Sequence, residues 1–237
     1  MALTKIDISM LEDIPAPGSS GQVIKSDGTN WTSGADAGLP AAGADGQVLT
    51  SDGTNWASEV AAGGGAWTFI TSVTASNSST VDFLTSFSTT YDTYLCTFNN
   101  IVGEDGREFR VLVAIGGSPR STSADYRYGY HGWGDHNAGD NGASTSQTYI
   151  RMNSGFGNAG TGEATNGNIW FHSPTNTTRY KHANWVLSEF TNSAVLRTKD
   201  GAGLFQGATT ALTGFQFYSS VGTIASGTFY LYGLNKS

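Results

Sequence analysis

Charge is scarce in this sequence: Asp, Glu, Lys and Arg supply 13% of the 237 residues, about half the usual share of a soluble domain. Only 12 of the residues are Lys or Arg, the net charge is −7, and no basic run occurs. Nucleic-acid binding, which needs clustered cations facing phosphates, is therefore not expected. No apolar run reaches the 18 or more residues of a membrane-spanning helix. The opening MALTKIDISMLEDIP has neither an apolar core nor a small-residue cleavage site, so Sec export is not expected either. A single cysteine, Cys96, excludes an intrachain disulfide and reads as a buried small hydrophobe in a reducing compartment.

Glycine and aromatic residues are abundant instead: 32 Gly, and 12% Phe, Trp and Tyr. Short β-branched and aromatic runs separated by Gly, Ser and Asn predict an all-β protein. Residues 1–13, with Ile6, Ile8, Met10 and Leu11 as apolar members, are too few to bury a core and read as an anchoring segment. Residues 14–60 repeat themselves at an offset of 25: GSSGQVIKSDGTNW (18–31) returns as GADGQVLTSDGTNW (43–56). In each copy Gln-Val-Ile/Leu predicts a brief strand, Ser-Asp-Gly-Thr-Asn a tight turn, and Trp31 or Trp56 an apolar anchor. One such hairpin is marginal alone and needs a partner surface. Residues 61–66 (AAGGGA) read as a flexible linker.

From Trp67 the texture changes. Strands are expected at 67–75, 79–84, 93–102, 108–115, 148–152, 168–172, 184–190, 214–219 and 227–234, with Glu104-Asp105-Gly106 as a hairpin turn. With no helical pattern among them, these fit a jelly-roll-like two-sheet β-sandwich over 67–237. Residues 116–147 and 153–167 read as long surface loops.

Catalytic and cofactor signals are weak. Gly155-Phe156-Gly157-Asn158-Ala159-Gly160 matches G-x-G-x-x-G, but TGEATNGN follows it rather than a helix that would aim at pyrophosphate. His131 and His136 with Asp135 and Asp140 match no ligand spacing, and Asp125, Asp135 and Asp140 offer only a loose set of oxygens for Ca²⁺. Asp125, Asp135, Asp140 and Glu163 could supply a carboxylate pair, yet no pattern sets two of them across a cleft. No enzyme activity, cofactor or metal is expected. Tyr126, Tyr128, Tyr130 and Trp133, bordered by Asp125 and Arg127, are the densest aromatic group. Two readings stay open: a strand with one buried face, or exposed rings that stack on sugars while the flanking polar groups bond hydroxyls.

The phrase GQVLTSDGTNW, preceded by Pro-Ala-x-Gly, resembles a repeat common in bacteriophage tail-fibre and related virion fibre proteins. The opening MALTKID…MLED is similar to their N-terminal attachment segments. WTFITSVTASNSSTVDF, YDTYLCTFNNIV and VGTIASGTFYLYGLNKS resemble a C-terminal domain of the same proteins. The resemblance implies a homotrimer made in the host cytoplasm and built into the virion. Residues 1–13 would dock on other virion proteins. Val23, Ile24 and Trp31, then Val48, Leu49 and Trp56, would close a shared three-chain stem core. Residues 67–237 would form a distal head that attaches to a host-surface glycan or protein. A capsid head fibre or decoration protein without a specific receptor is the alternative, and a polysaccharide-depolymerising enzyme a further one.

Overall fold

The computed structural model describes residues 22–26, 29, 31–35, 47–51, 54–60, 66–104, 106–121, 124–135, 139–156, 162–191 and 194–236. The attachment residues Ile6, Ile8, Met10 and Leu11, His136, and all of the 61–66 linker except Ala66 lie outside them. By its contacts the chain divides into Met1–Gly64 and Gly65–Ser237.

In the first unit each repeat copy forms one antiparallel hairpin: β1 (Gln22–Ser26) with β2 (Trp31–Ala35), and β3 (Gln47–Ser51) with β4 (Trp56–Val60). The two share one register, since Ser26 pairs Trp31 as Ser51 pairs Trp56, so the sequence repeat is also a structural one. Side chains alternate between the faces of a strand. Leu49 therefore shares a face with Trp56, whereas Val48 shares the other with Glu59. Leu49 and Trp56 thus make one apolar side of the hairpin and Val48 belongs to the opposite one. All three are exposed, at 43%, 42% and 51% for Val48, Leu49 and Trp56. The side chains of Val23, Ile24 and Trp31 are outside the description; their backbones hold the equivalent register positions.

The second unit is a β-sandwich with no helix among its described residues. Its strands are β5 (Trp67–Ser78), β6 (Thr80–Phe83), β7 (Thr93–Gly103), β8 (Phe109–Ile115), β9 (Ser118–Pro119), β10 (Tyr126–Gly134), β11 (Gly142–Gln147) and β12 (Ile150–Arg151). They continue with β13 (Ala164–His172), β14 (Lys181–Phe190), β15 (Leu196–Phe205), β16 (Gly214–Ser219) and β17 (Ile224–Leu234). One antiparallel sheet has eight strands in the order β11-β10-β15-β14-β13-β7-β17-β5; the other has five, β12-β8-β16-β6 with β9 beside β8. The expected two-sheet β-sandwich is thus present as two unequal sheets over one core.

Three expectations change. Residues 126–134 and 142–147 are paired strands rather than loop, and β13 begins at Ala164, inside the second expected loop. A strand at 196–205 was not expected at all. The Glu104–Gly106 turn closes with Arg107 N–H donating to Glu104 O at 3.2 Å. It joins β7 to β8, which belong to different sheets, so it is a corner between layers and not a hairpin.

The layers meet through aromatic rings. Phe109 stacks on Phe217 at 4.9 Å between centroids, while Phe98 and Phe229 of the larger sheet close on them at 5.4 and 5.1 Å. Phe215 stacks on Phe83 at 4.9 Å and on Phe171 at 4.5 Å. Such pairs contribute about 0.5–1.5 kcal/mol each beyond the area they bury. Cys96 is fully buried among them, and burial pushes its thiol pKa up.

Beside this apolar core lies a buried ionic cluster. Lys199 Nζ reaches Glu189 Oε1 at 2.5 Å, Asp140 Oδ2 at 2.8 Å and Ser154 Oγ at 3.0 Å. Asn153 donates to Glu189 Oε2 at 2.9 Å and accepts from Phe109 N–H at 2.7 Å. The chain of bonds therefore runs from β15 and β14 in one sheet to β8 in the other. Burial alone would raise the Asp140 pKa, but hydrogen bonds from Lys199 and Ser154, with the charges of Lys199 and Arg197, outweigh it and hold it below its usual value.

Lys199 and Glu189 have no exposed side-chain surface, so removing one partner strands the other charge. Lys199→Ala is expected to cost about 3–5 kcal/mol in denaturant unfolding. A folded pKa held down at Asp140 adds stability above the unfolded value and loses it as pH falls through the folded one. Stability should therefore drop below about pH 4, and Asp140→Asn should flatten part of that drop in pH-dependent thermal melts.

Candidate functional site

β10 alternates strictly. Tyr126, Tyr128 and Tyr130 point into the sandwich with 0%, 9% and 6% exposure, while Arg127, Gly129, His131 and Trp133 point out. Of the two readings open for this segment, the strand with one buried face is the one observed. This removes the three tyrosines from any contact surface. The Tyr126 hydroxyl donates to Arg120 O at 2.5 Å and accepts from Val113 N–H at 3.1 Å, tying β10 to the smaller sheet. Burial holds its pKa well above the ordinary tyrosine value and pushes that of Tyr130 up to about 12. Trp133 stays 53% exposed, with its ring edge-to-face against His131 at 5.1 Å. Arg127 is exposed and donates to Gln206 Oε1 at 2.7 Å; Asp125 is half-buried.

The remaining candidates scatter. Asp140 belongs to the Lys199 cluster, Asp135 donates its backbone N–H to Leu196 O at 3.0 Å, and Glu163 is half-buried. Of the G-x-G-x-x-G stretch only Gly155 and Phe156 are described, and Phe156 is a core ring, 5.2 Å from Phe109. His172 and His182 pair across β13 and β14, and His172 Nε2 is hydrogen-bonded to Asn184 Oδ1.

What the structure brings together is a hollow on the outer face of the larger sheet, of about 750 Å³, within the range of small-ligand sites. Its floor is a register row of small residues, Ala143–Gly129–Ala202, continued by Asn184. The next row sets His131, Asp200 and Val186 side by side, and Asn141 completes the rim. Beneath the floor, a Cβ on Gly201 would sit 2.4 Å from Trp185 Cζ2, and one on Gly142 would sit 2.5 Å from the Tyr130 ring. The two rings lie hard against the backbone there. On the outer side, a Cβ on Gly129 would meet nothing within 4 Å. The Tyr130 hydroxyl, on the inner side of the sheet, is buried without a hydrogen-bond partner among the described residues. Beyond Asn184 the row continues through Trp170, Leu95 and Tyr232 to Phe69, which is 55% exposed.

Sequence reasoning reached His131 and Trp133 but not Gly129, Asn141, Asn184, Asp200 or Ala202. Strand alternation at β10 carried a signal for the first of these: if the tyrosines face in, Gly129 faces out. β14 and β15 carried none, because pairing alone brings them alongside.

The two sides of the sheet make opposite predictions for the same substitution. Gly201→Ala should lower stability by about 1–3 kcal/mol through overpacking against Trp185. Gly129→Ala should leave stability within about 1 kcal/mol of the wild type. Thermal and denaturant unfolding of the two variants checks both. Comparison of the chain with family models, with curated proteins and with solved structures finds no match.

Proposed function

We propose that this chain is a short homotrimeric bacteriophage virion fibre, of the tail-fibre type, whose sandwich head binds the surface of the host cell. The observation that carries the reading is the stem hairpin. Val48, Leu49 and Trp56 are 42–51% exposed on a two-stranded element, and such a hairpin is marginal in water without further apolar contact. Three copies side by side supply that contact. The sequence resemblance of GQVLTSDGTNW to fibre repeats points to the same assembly.

The head supports the division of labour. Its core is complete within one chain, with Phe98, Phe109, Phe215, Phe217 and Phe229 all at 0% exposure. It therefore has no need of a partner for its own stability, and its outer face is free to serve recognition. Residues 1–13 are assigned the docking role on the virion, in keeping with their resemblance to attachment segments.

Light scattering on the full chain should give the mass of three chains, and a monomer would overturn the trimer. Leu49→Asp with Trp56→Asp should return monomers while leaving the thermal unfolding of the head unchanged. A cryo-EM map of virions carrying the protein should show it at the tail; density on the capsid instead would favour the head-fibre alternative.

A further inference from the structure

We propose that the hollow over Gly129 and Ala202 is a glycan-binding site selective for uncharged sugars, with Trp133 as the platform for a further sugar unit of the same oligosaccharide; this rests on the receptor-binding role proposed for the head. Three features of the site converge. Its floor lacks side chains that would hold a flat ring off the sheet, since Gly129 faces open space and Ala143 and Ala202 flank it. Its rim offers side-chain oxygens and nitrogens from Asn141, Asn184, Asp200 and His131. Amides both donate and accept, and a carboxylate accepts from hydroxyls, which is the mixture a polyhydroxylated ring requires. The Asn184 Oδ1 is already held by His172, leaving its Nδ2 hydrogens as donors.

The third feature is aromatic. Trp133 lies two positions beyond His131 on the same outward face, and outward neighbours on a strand stand about 6.8 Å apart. Gly129 lies one outward position further back, so a ring over Gly129 and a second ring on Trp133 are about 14 Å apart, further than adjacent sugar units of one oligosaccharide. Trp133 is half exposed yet steadied edge-on by His131, so stacking on it costs little side-chain ordering.

Charge narrows the ligand. Asp200 faces the hollow and makes no ion pair among the described residues, while Arg127, the cation two positions before Gly129 on β10, bonds Gln206. A uronic acid, sialic acid or phosphorylated sugar would set its anion against that carboxylate, and like charges in contact discriminate strongly. A neutral hexose or N-acetylhexosamine meets no such opposition.

The test uses the full-length protein on a printed array of neutral and acidic oligosaccharides from bacterial lipopolysaccharides and capsules, with whole-cell adsorption in parallel. Gly129→Leu fills the hollow from its open side, Trp133→Ala removes the platform, Asp200→Asn removes the charge, and Tyr180→Ala is an exposed aromatic control elsewhere. Thermal melts confirm that each variant folds. Expected are binding to neutral glycans, a loss of about tenfold or more in Gly129→Leu and in Trp133→Ala, new tolerance of acidic glycans in Asp200→Asn, and no change in Tyr180→Ala. Binding to acidic glycans alone, or neutral binding that survives both Gly129→Leu and Trp133→Ala, overturns the site while leaving the receptor role intact. Adsorption to cells with no glycan bound also overturns it, in favour of a protein receptor. Neither glycan nor cell binding by a folded trimer sinks the receptor role and the site together.

Discussion

The space beneath β15 admits only hydrogen at Gly201 and Gly203, and much of the head follows from that. Gly201 lies between Trp185 and Tyr130, and a Cβ on Gly203 would meet Ile150 Cδ1 at 2.5 Å. Trp185 from β14 and Tyr130 from β10 can therefore pack directly against the strand's backbone. Trp185 is pinned further by its indole N–H, which donates to Met152 O at 3.1 Å. The small residues continue on the outer side, where Gly129, Ala143 and Ala202 leave the hollow. Core packing and a surface recess thus share one cause, a sheet kept thin where aromatic rings press against it. Glycine in a strand interior is costly in entropy and is retained where something approaches the backbone closely.

That same constraint explains which parts of the fold the sequence disclosed. β8, β16 and β17 read as strands because Phe, Val, Ile and Tyr dominate them and alternate with polar residues. β15, Leu-Arg-Thr-Lys-Asp-Gly-Ala-Gly-Leu-Phe, has the composition of a loop: three charges, two glycines and little β-branching. Its identity comes from outside, from a buried salt bridge that absorbs Lys199 and from rings that fill the space of the missing side chains. β11, Gly-Ala-Ser-Thr-Ser-Gln, lacks large apolar residues for a related reason, since Gly142 covers the Tyr130 ring. For β10 the period-2 pattern of the tyrosines was visible, but which face they turned was not. Only the neighbouring strand and the smaller sheet decide that, through the bonds of Tyr126 to Val113 and Arg120. The hollow was legible to the same limited degree. His131 and Trp133 lie on β10, while Asn184 and Asp200 reach the site through pairings with no local signature.

The scarcity of charge also acquires a location. Of the few ionisable groups in the head, Lys199, Glu189, Asp140 and Arg197 are gathered at one end of the sandwich. Glu108, Arg110 and Arg151 form a second group, with Arg110 to Glu108 at 2.5 Å, Arg151 to Glu108 at 3.2 Å and the Arg110 guanidinium 3.7 Å above the Tyr149 ring. Burying charge is tolerable only when every member finds partners. Both groups meet that condition by linking segments far apart in sequence, which fixes strand order where aromatic packing alone would allow slippage. The hollow, by contrast, is faced by amides, an imidazole and the Asp200 carboxylate, a surface suited to neutral polar ligands rather than to phosphates.

Stem and head solve the burial problem in opposite ways. The head encloses its own apolar residues, so it can present a polar face with an exposed tryptophan at no cost to its stability. The hairpin of β3 and β4 leaves Val48, Leu49 and Trp56 exposed. A repeat of identical register is a natural answer, since each rung offers neighbouring copies the same apolar position, Leu49 and Trp56 in the second and the equivalent Ile24 and Trp31 positions in the first. In the trimer proposed above, three such sites on one stem would bind a patterned surface more tightly than one.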